Sequence, residues 1–237
     1  MSLKVLHLVY SLAPGGMENG IVNMSINLAS EKISMEVCCL ERAGRMASRL
    51  SKKCHLHVLG KKPGFDRRLP RILRDKINEI GPDIIHTHNL GPLIYAAMAR
   101  FLGVTIPIFH GEHASLTLTD LRLRKRLQRI LLYRLCKKIH TVGDSMTRQL
   151  DELKLSPTPV LTLRNGVDTV LFQPNKDKAQ IRKELLDLSG ELLLVGVFGR
   201  FGPYKRHEFL LEAFAEIGEK LPNIHLLIVG GGGDRER

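Results

Sequence analysis

Two cations in a glycine-rich loop, Arg200 and Lys205, have the residue types and spacing most suggestive of chemistry. They follow the apolar run 192–198, which predicts a buried strand, and a helical pattern begins near Arg206. Open α/β sheets place ligands in the loops at the carboxyl ends of their strands. Because cations and a helix N-terminus both attract phosphate, Arg200 and Lys205 predict a diphosphate site. A solvated loop pair is the alternative interpretation.

A pair of glycines, Gly15 and Gly16, stands between the first predicted strand and the first predicted helix. Paired glycines let the backbone approach a ligand closely, and the helix that follows offers free N–H groups. The spacing does not meet the G-x-G-x-x-G dinucleotide fingerprint. We therefore expect a substrate-binding turn at Gly15 and Gly16, with a purely structural turn as the alternative.

Histidines at strand ends are the other candidate site residues. His86 and His88 are two residues apart, so on an extended segment their side chains share one face. No cysteine or acidic residue is spaced to complete a metal site with them, so we expect no metal and interpret His88 as a substrate-facing residue. His110 ends the apolar run 106–110, where a neutral imidazole can bind a hydroxyl group and serve catalysis. A structural histidine is the alternative at each position.

The 237-residue chain is basic, with a formal charge of +12. Residues 121–138 carry eight Lys or Arg and no acidic residue, which favours contact with an anionic membrane or, as the alternative, a solvated helix face. An aromatic content of 5% and the lack of a known nucleic-acid motif argue against nucleic acid as a partner. No apolar run reaches the ~18 residues of a membrane span, and no CxxC pair occurs. We therefore expect a cytoplasmic protein with reduced cysteines.

Strand-like and helix-like segments alternate along the whole chain, which predicts βαβ units and parallel sheets. The predicted strands are 4–9, 35–40, 55–59, 83–86, 106–110, 139–142, 160–163, 192–198 and 225–229. The predicted helices are 17–30, 46–53, 70–80, 93–102, 120–137, 145–153, 178–186 and 207–220. A turn signal at 165–168 and a linker-like stretch at 172–175 divide the chain. The fold class is therefore α/β, with one complete parallel-sheet domain at 1–170, a linker and lead-in at 171–190, and the start of a second domain at 191–237.

The ordered set of motifs resembles the GT-B glycosyltransferases of family 4. The matching segments are 15–18 (GGME), 82–89 (PDIIHTHN), 109–111 (FHG), 165–174 (NGVDTVLFQP), 199–205, 207–214 and 227–230. The resemblance as a whole extends from about residue 3 to residue 234. The resemblance implies a GT-B-like fold of two Rossmann-like domains, with the acceptor on residues 1–170 and the nucleotide-sugar on the domain that begins at 191.

The resemblance also implies roles for single residues. Gly16 would lie near the diphosphate, Arg200 and Lys205 would stabilise the departing phosphate, and His110 would contact the transferred sugar. The family implies a retaining transfer from a UDP-sugar or GDP-sugar to a glycan or lipid-linked acceptor in polysaccharide or glycolipid synthesis. No metal and no cofactor are expected. Residues 121–138 would contact the inner face of the membrane.

The family carries two glutamates eight positions apart later in its second domain, and residues 234–237 do not contain them. We therefore expect a C-terminally truncated form that is inactive alone. A non-catalytic remnant or sugar-binding module of the same fold is the alternative function. Another nucleotide-using α/β enzyme, such as a dehydrogenase or an epimerase, is disfavoured because no early G-x-G-x-x-G is present.

Overall fold

The computed structural model describes residues 2–28, 32–174, 177–187, 192–202 and 205–231. The chain divides into two compact units, Met1–Val167 and Asp168–Arg237. We call them unit 1 and unit 2. The acceptor and nucleotide-sugar roles expected for the two parts of the chain stay predictions.

Unit 1 is built on a seven-stranded parallel sheet. Its strands are β1 (Leu3–Val9), β2 (Ile33–Cys39), β3 (His55–Val58), β4 (Ile84–His88), β5 (Ile108–Glu112), β6 (Cys136–Thr141) and β7 (Leu161–Thr162). They run in the order β3-β2-β1-β4-β5-β6-β7. The direction of winding reverses between β1 and β4, and this switch point is where doubly wound sheets bind ligands beyond their carboxyl ends.

Helices cover both faces of the sheet. They are α1 (Gly16–Asn27), α2 (Leu69–Ile80), α3 (Leu90–Phe101), α4 (Leu123–Tyr133) and α5 (Asp144–Glu152). Two separate apolar cores result, one containing Cys38 and the other Cys39. Adjacent strand residues point to opposite faces, so Cys38 and Cys39 lie in different cores, and all four cysteines are free and buried.

Unit 2 contains α6 (Lys178–Leu186), β8 (Leu193–Phe198), α7 (His207–Lys220) and β9 (Ile224–Val229). The strands β8 and β9 pair in parallel over six residues each. None of the described residues from 168 onward is buried. With a seven-stranded parallel sheet in unit 1 and a parallel strand–helix–strand unit in unit 2, the chain has the predicted α/β class.

Two predicted segments were wrong in type or extent. The helix predicted over 120–137 ends at Tyr133, because Cys136 pairs with Ile108 and begins β6 three residues earlier than predicted. The helix predicted over 46–53 is a short 3₁₀ helix, Arg45–Arg49. It follows Gly44, whose φ of 83° is outside the helical region, and such tight helices rarely extend beyond a few residues. Within the described residues, we find no helix with the length and apolar content to cross a bilayer.

Candidate active site

The carboxyl edge of β1 and β4 forms the candidate site of unit 1. The loop after β1 carries the predicted residues Gly15 and Gly16, and α1 begins at Gly16. The chain leaves β4 at His88, and α3 begins two residues later at Leu90. Two helix N-termini therefore follow the two strands that flank the switch point, and their backbone N–H groups suit an anionic or hydroxyl-bearing ligand.

Gly15 and Gly16 differ in their surroundings. Gly16 is exposed, and a Cβ at this position would meet no atom within 4 Å. Gly15 has an extended backbone, and a Cβ there would collide with the Glu18 carboxylate. The acidic side chain thus lies over the N-terminus of α1, where the helix dipole favours negative charge.

Asn89 is a functional candidate that the sequence interpretation did not single out. It precedes α3 with a φ of 63°, a conformation that costs of order 1–3 kcal/mol for a residue other than glycine. Its N–H donates to the Gly111 carbonyl at 2.8 Å, and its Oδ1 accepts the His113 N–H at 2.9 Å. Its Nδ2 lies 3.3 Å from Met17 Sδ in α1. Asn89 therefore ties together three segments that end at the carboxyl edge.

Five histidines lie together on one face of the sheet, and we call His7, His86, His88, His113 and His140 the histidine cluster. His7 and His86 are cross-strand partners in β1 and β4, and His88 lies two residues further along the same face. His7 Nδ1 is 2.9 Å from His88 Nε2, and His88 Nδ1 is 2.9 Å from His113 Nε2. The signal missed in the sequence was the pairing of His7 with His86, which spacing along one segment does not reveal.

His140 joins the cluster from two strands away. It lies on β6, yet its Nε2 is 2.8 Å from His86 Nε2 on β4, with β5 between them. The crossing is possible because Gly111 occupies the intervening position of β5. A Cβ on Gly111 would lie 2.6 Å from His140 Nε2 and 2.9 Å from His113 Nε2, closer than real Cβ contacts.

Burial keeps the cluster uncharged. It lowers the pKa of His7 and of His113 to about 4, with a smaller contribution from the neighbouring His140. Burial first, and then neighbouring histidines, also hold the pKa values of His86 and His88 well below their usual range. The imidazoles are therefore neutral at pH 7, so each ring has one N–H donor and one lone pair. His113 Nδ1 and His140 Nδ1 are buried without a hydrogen-bond partner among the described residues.

The opposite face of the sheet holds the predicted catalytic residue His110. Its ring is fully buried, and His110 Nδ1 is 2.8 Å from the Thr87 hydroxyl. Its Nε2 lies 3.4 Å from Glu112 Oε1, which also accepts a hydrogen bond from the Tyr133 hydroxyl at 2.6 Å. His110 and His88 are on different faces of the sheet, since neighbouring strand residues alternate. Both are enclosed, because His88 is only 1% exposed.

The loop after β8 forms the candidate site of unit 2. Arg200 and Lys205 are both exposed, and α7 begins at His207, two residues after Lys205. The Lys205 N–H donates to the Gly202 carbonyl at 3.0 Å. The aliphatic part of Lys205 passes Gly199, where a Cβ would lie 3.5 Å from the lysine Cε. Pro203 and Tyr204, which the sequence places in the same loop, lie outside the described residues.

A second loop supports this arrangement. The Gly199 N–H donates to the Val229 carbonyl at 3.0 Å, and the Phe201 N–H donates to the Gly231 carbonyl at 2.8 Å. A Cβ on Gly230 would collide with the Gly199 carbonyl oxygen. The two loops therefore approach at the carboxyl ends of β8 and β9. The structure brings both predicted cations to this edge, beside the N-terminus of α7.

Comparison with known proteins gives matches over nearly the whole chain. The model of Glycosyltransferase Family 4 matches residues 14–171, and the model of Glycosyl transferases group 1 matches residues 177–237. The Bacillus subtilis protein EpsF, which carries the name of a glycosyltransferase, is 25% identical over 97% of this chain and 62% of its own length. The sulfoquinovosyl transferase SQD2 of Arabidopsis thaliana is 26% identical over 70% of this chain and 33% of its length.

Solved structures show the same fold. Anabaena Alr3699/HepE, in complex with UDP and glucose, matches with a TM-score of 0.77 and 18% identity over 99% of this chain and 62% of that one. A glycosyltransferase from Rickettsia africae matches with a TM-score of 0.74 and 17% identity over 97% of this chain and 60% of that one. The chain thus spans about three fifths of the length of EpsF and HepE. By the family model that covers residues 14–171, and with the GT-B-like fold predicted for it, this chain belongs to Glycosyltransferase Family 4.

Proposed function

We propose that the whole protein is a retaining, metal-independent glycosyltransferase. It transfers a sugar from a nucleotide-diphospho-sugar to a glycan or lipid-linked acceptor in polysaccharide or glycolipid synthesis. The observation that carries the proposal is the position of Arg200 and Lys205 beside the N-terminus of α7, at the carboxyl ends of β8 and β9. Family membership and the UDP-bound state of the HepE structure support it.

The chemistry follows from charge. As the bond between the donor sugar and its diphosphate breaks, the leaving oxygen becomes more negative, so fixed cations stabilise the transition state more than the ground state. Charge-assisted hydrogen bonds from Arg200 and Lys205 contribute roughly 1.5–3 kcal/mol each, and a helix N-terminus adds up to about 2 kcal/mol. Enzymes supply about 8–23 kcal/mol, so orientation of donor and acceptor must provide the rest. Two cations at the diphosphate take the place that a divalent metal has in other transferases.

The acceptor binds unit 1 in this proposal, at the carboxyl edge beside Gly15 and Gly16. His88 acts as a positioning residue, because both of its ring nitrogens hold other histidines and its side chain is buried. The sugar contact predicted for His110 requires its ring to leave the Thr87 hydroxyl, since the imidazole is fully buried. Asn89 and His113 provide polar groups at the same edge.

Binding of UDP and GDP to the 237-residue chain, measured by isothermal titration calorimetry, tests the donor site. The double variant R200Q/K205Q should bind the preferred nucleotide at least tenfold more weakly, since two charged hydrogen bonds are lost. The double variant K178Q/K220Q removes the same charge from exposed sites on α6 and α7 and should bind like the parent chain. Equal affinity in all three chains, or no affinity for either nucleotide, contradicts the proposed diphosphate site.

Proton NMR of UDP-glucose or GDP-mannose hydrolysis by the whole protein, rather than by the 237-residue chain alone, tests the reaction. Early release of the sugar in the anomeric form of the donor indicates retention, and an unchanged rate in EDTA indicates metal independence. Release of the inverted anomer contradicts a retaining mechanism. Nucleotide binding without any hydrolysis or transfer favours the alternative function, a sugar-binding module of the same fold.

For the lipid-linked form of the acceptor, we propose that α4 contacts the cytoplasmic face of the membrane. Three leucines spaced four residues apart, Leu123, Leu127 and Leu131, are 72%, 51% and 62% exposed. Arg124 and Arg134 are exposed on the same helix and at its end. An apolar stripe flanked by cations complements an anionic lipid surface, where the leucines enter the acyl boundary and the arginines pair with phosphate.

A further inference from the structure

We propose that His7, His86 and His88 bind a divalent transition-metal ion, Zn²⁺ foremost, that joins β1 to β4 beneath the switch point. The ion has a structural role in unit 1: it holds His88, the positioning residue of the proposed acceptor edge, and takes no part in breaking or forming bonds in the proposed sugar transfer. This site is distinct from the Arg200 and Lys205 loop, which belongs to unit 2.

The geometry of the three side chains carries the proposal. One ligand nitrogen from each of the three rings lies within 4.8 Å of those from the other two. His7 Nδ1 and His88 Nε2 are 2.9 Å apart. In a tetrahedral site with Zn–N bonds of about 2.0–2.1 Å, ligand nitrogens stand about 3.3–3.4 Å apart. A separation of 4.8 Å exceeds this tetrahedral spacing by about 1.5 Å. Movements of the ring nitrogens by no more than that amount bring all three to bonding distance of one ion.

Backbone pairing fixes this arrangement. His7 and His86 face each other in the parallel register of β1 and β4, and His88 follows on the same side of β4. Two of the three ligands are almost fully buried, with His7 3% and His88 1% exposed. A site on paired strands at the centre of a sheet is more rigid than one on loops, so little ordering is needed when the ion binds.

The chemistry of the donors selects the class of ion. All three donors are imidazoles, which suit Zn²⁺, Cu²⁺, Ni²⁺ and Co²⁺, whereas Mg²⁺ and Ca²⁺ require oxygen ligands. Three protein ligands leave a fourth position for water or another small ligand.

Neighbouring histidines hold the ligands in place. Metal-binding histidines usually donate their second ring nitrogen to a partner that fixes the orientation of the ring. His113 stands 2.9 Å from the second nitrogen of His88, and His140 stands 2.8 Å from His86 Nε2. Gly111 leaves the space that both of these supporting rings occupy. The cluster thus contains three ligands together with partners that orient two of them.

Binding is expected to stabilise the fold, because unfolding separates residue 7 from residues 86 and 88 and destroys the site. The test uses the 237-residue chain, stripped with EDTA and desalted, and then titrated with Zn²⁺ or Co²⁺. We expect one ion per chain, a rise of several degrees in Tm with either ion, and the visible absorption bands of Co²⁺ in a nitrogen-rich site.

The decisive variant is H86Q, because His86 is the least buried of the three ligands. H86Q should lose at least a hundredfold in Co²⁺ affinity, and H7Q should do the same if it folds. The control variant H55Q/H225Q removes two exposed histidines outside the cluster and should bind Co²⁺ like the parent chain.

Two outcomes overturn the proposal: no binding of either ion to the parent chain, or Co²⁺ binding that survives H86Q, whether or not it also survives H55Q/H225Q. UDP binding by H86Q should be unchanged with or without EDTA. Failure of the metal site is therefore separate from failure of the donor site, which the R200Q/K205Q variant tests.

Discussion

Gly111 shows how one missing side chain organises a polar face of the sheet. The rings of His113 and His140 occupy the space that a Cβ at position 111 would need. As a result, His140 reaches across β5 to His86, and His113 reaches His88. The glycine has no positive φ to explain it, so close approach of these rings is the physical reason for a glycine within a buried strand.

We predict that G111A destabilises the chain by about 1–3 kcal/mol, the usual cost of an added methyl group in a packed interior. Urea unfolding followed by circular dichroism measures the free energy of unfolding. G20A is the matched control, since Gly20 lies within α1 and its Cβ would meet Asn165 Oδ1 at an ordinary 3.5 Å. G20A should be neutral or stabilising. If G111A were as stable as G20A, the rings of His113 and His140 would not need the space beside Gly111.

Arg129 illustrates a charge held inside the protein by its partners. Its guanidinium is 4% exposed, and its Nε lies 3.4 Å from Glu112 Oε1 while its Nη1 lies 3.3 Å from Asp120 Oδ1. Burial would raise the pKa of Glu112, but His110, Tyr133 and Arg129 together lower it. The cluster therefore keeps a buried carboxylate ionised, which is tolerable only while the guanidinium is present.

We predict that R129M costs about 3–5 kcal/mol at pH 7, because it leaves the Glu112 carboxylate buried without its cationic partner. R124M on the same helix changes an exposed arginine and should stay within about 0.5 kcal/mol of the parent chain. Chemical denaturation of the three chains side by side gives the comparison. A loss in R129M no larger than in R124M would mean that Glu112 is already neutral in the folded chain.

The parent chain and R129M should also differ in how their free energies of unfolding depend on pH. In the parent chain the pKa of Asp120 falls to about 2 despite the opposing effect of burial, because Thr117 hydrogen bonds and Arg129 favour the carboxylate. A lowered acid pKa stabilises the fold above the unfolded value of 3.8 and loses this contribution as the pH falls toward 2. In R129M the unpaired Glu112 gains from protonation instead. The stability gap between parent and R129M should therefore shrink between pH 7 and pH 3.5, and a constant gap would contradict it.

At the scale of elements, α4 packs Ile130 and Leu132 against the core but leaves a second apolar stripe exposed. Arg129 and Tyr133 point into unit 1, while Leu123, Leu127 and Leu131 are exposed. A pattern-based interpretation buries the leucines, because apolar residues four apart usually face the core. Here the buried Glu112 carboxylate requires Arg129 and the Tyr133 hydroxyl on the inner side of α4. The three leucines therefore lie on the exposed side of the helix.

We predict that L123Q/L127Q/L131Q reduces binding to vesicles containing phosphatidylglycerol by at least tenfold, since three leucines no longer enter the acyl region. The chain should remain as stable as the parent, because all three side chains are exposed. The matched triple variant I26Q/L28Q/I72Q alters exposed apolar residues on other parts of unit 1 and should bind normally. Equal vesicle sedimentation of both variants would remove α4 as the membrane contact.

The sequence predicts elements better than it predicts what they bring together. The helices at 178–186 and 207–220 have the predicted bounds, because their polar faces and flanking turns are local signals. The start of β6 at Cys136 was missed, since pairing with Ile108 outweighs the helical pattern around it. The contact between His7 and His86 depends on which strands pair and in which register, and no local pattern contains that information.

At the scale of the whole molecule, the two units differ in how much they bury. Unit 1 encloses apolar cores on both faces of seven strands. Unit 2 pairs two strands, and its described residues include none that is buried. Burial of apolar surface is the main source of stability, and a two-stranded sheet without a buried core is marginal alone. The chain therefore should not unfold as one cooperative unit.

Hydrogen exchange of the whole 237-residue chain tests this difference, and β6 and β9 provide a matched pair because each has six residues. We predict that amides of β9 exchange at least a hundredfold faster than those of β6, a difference of about 2.8 kcal/mol in opening free energy. Adding UDP should slow exchange in β8 and at the start of α7 and leave β6 unchanged, because only unit 2 carries Arg200 and Lys205. Equal exchange rates in β6 and β9 without ligand would mean that unit 2 is as stable as unit 1. Slower exchange of β6 amides on adding UDP would mean that the nucleotide binds unit 1, which contradicts the proposed donor site on unit 2.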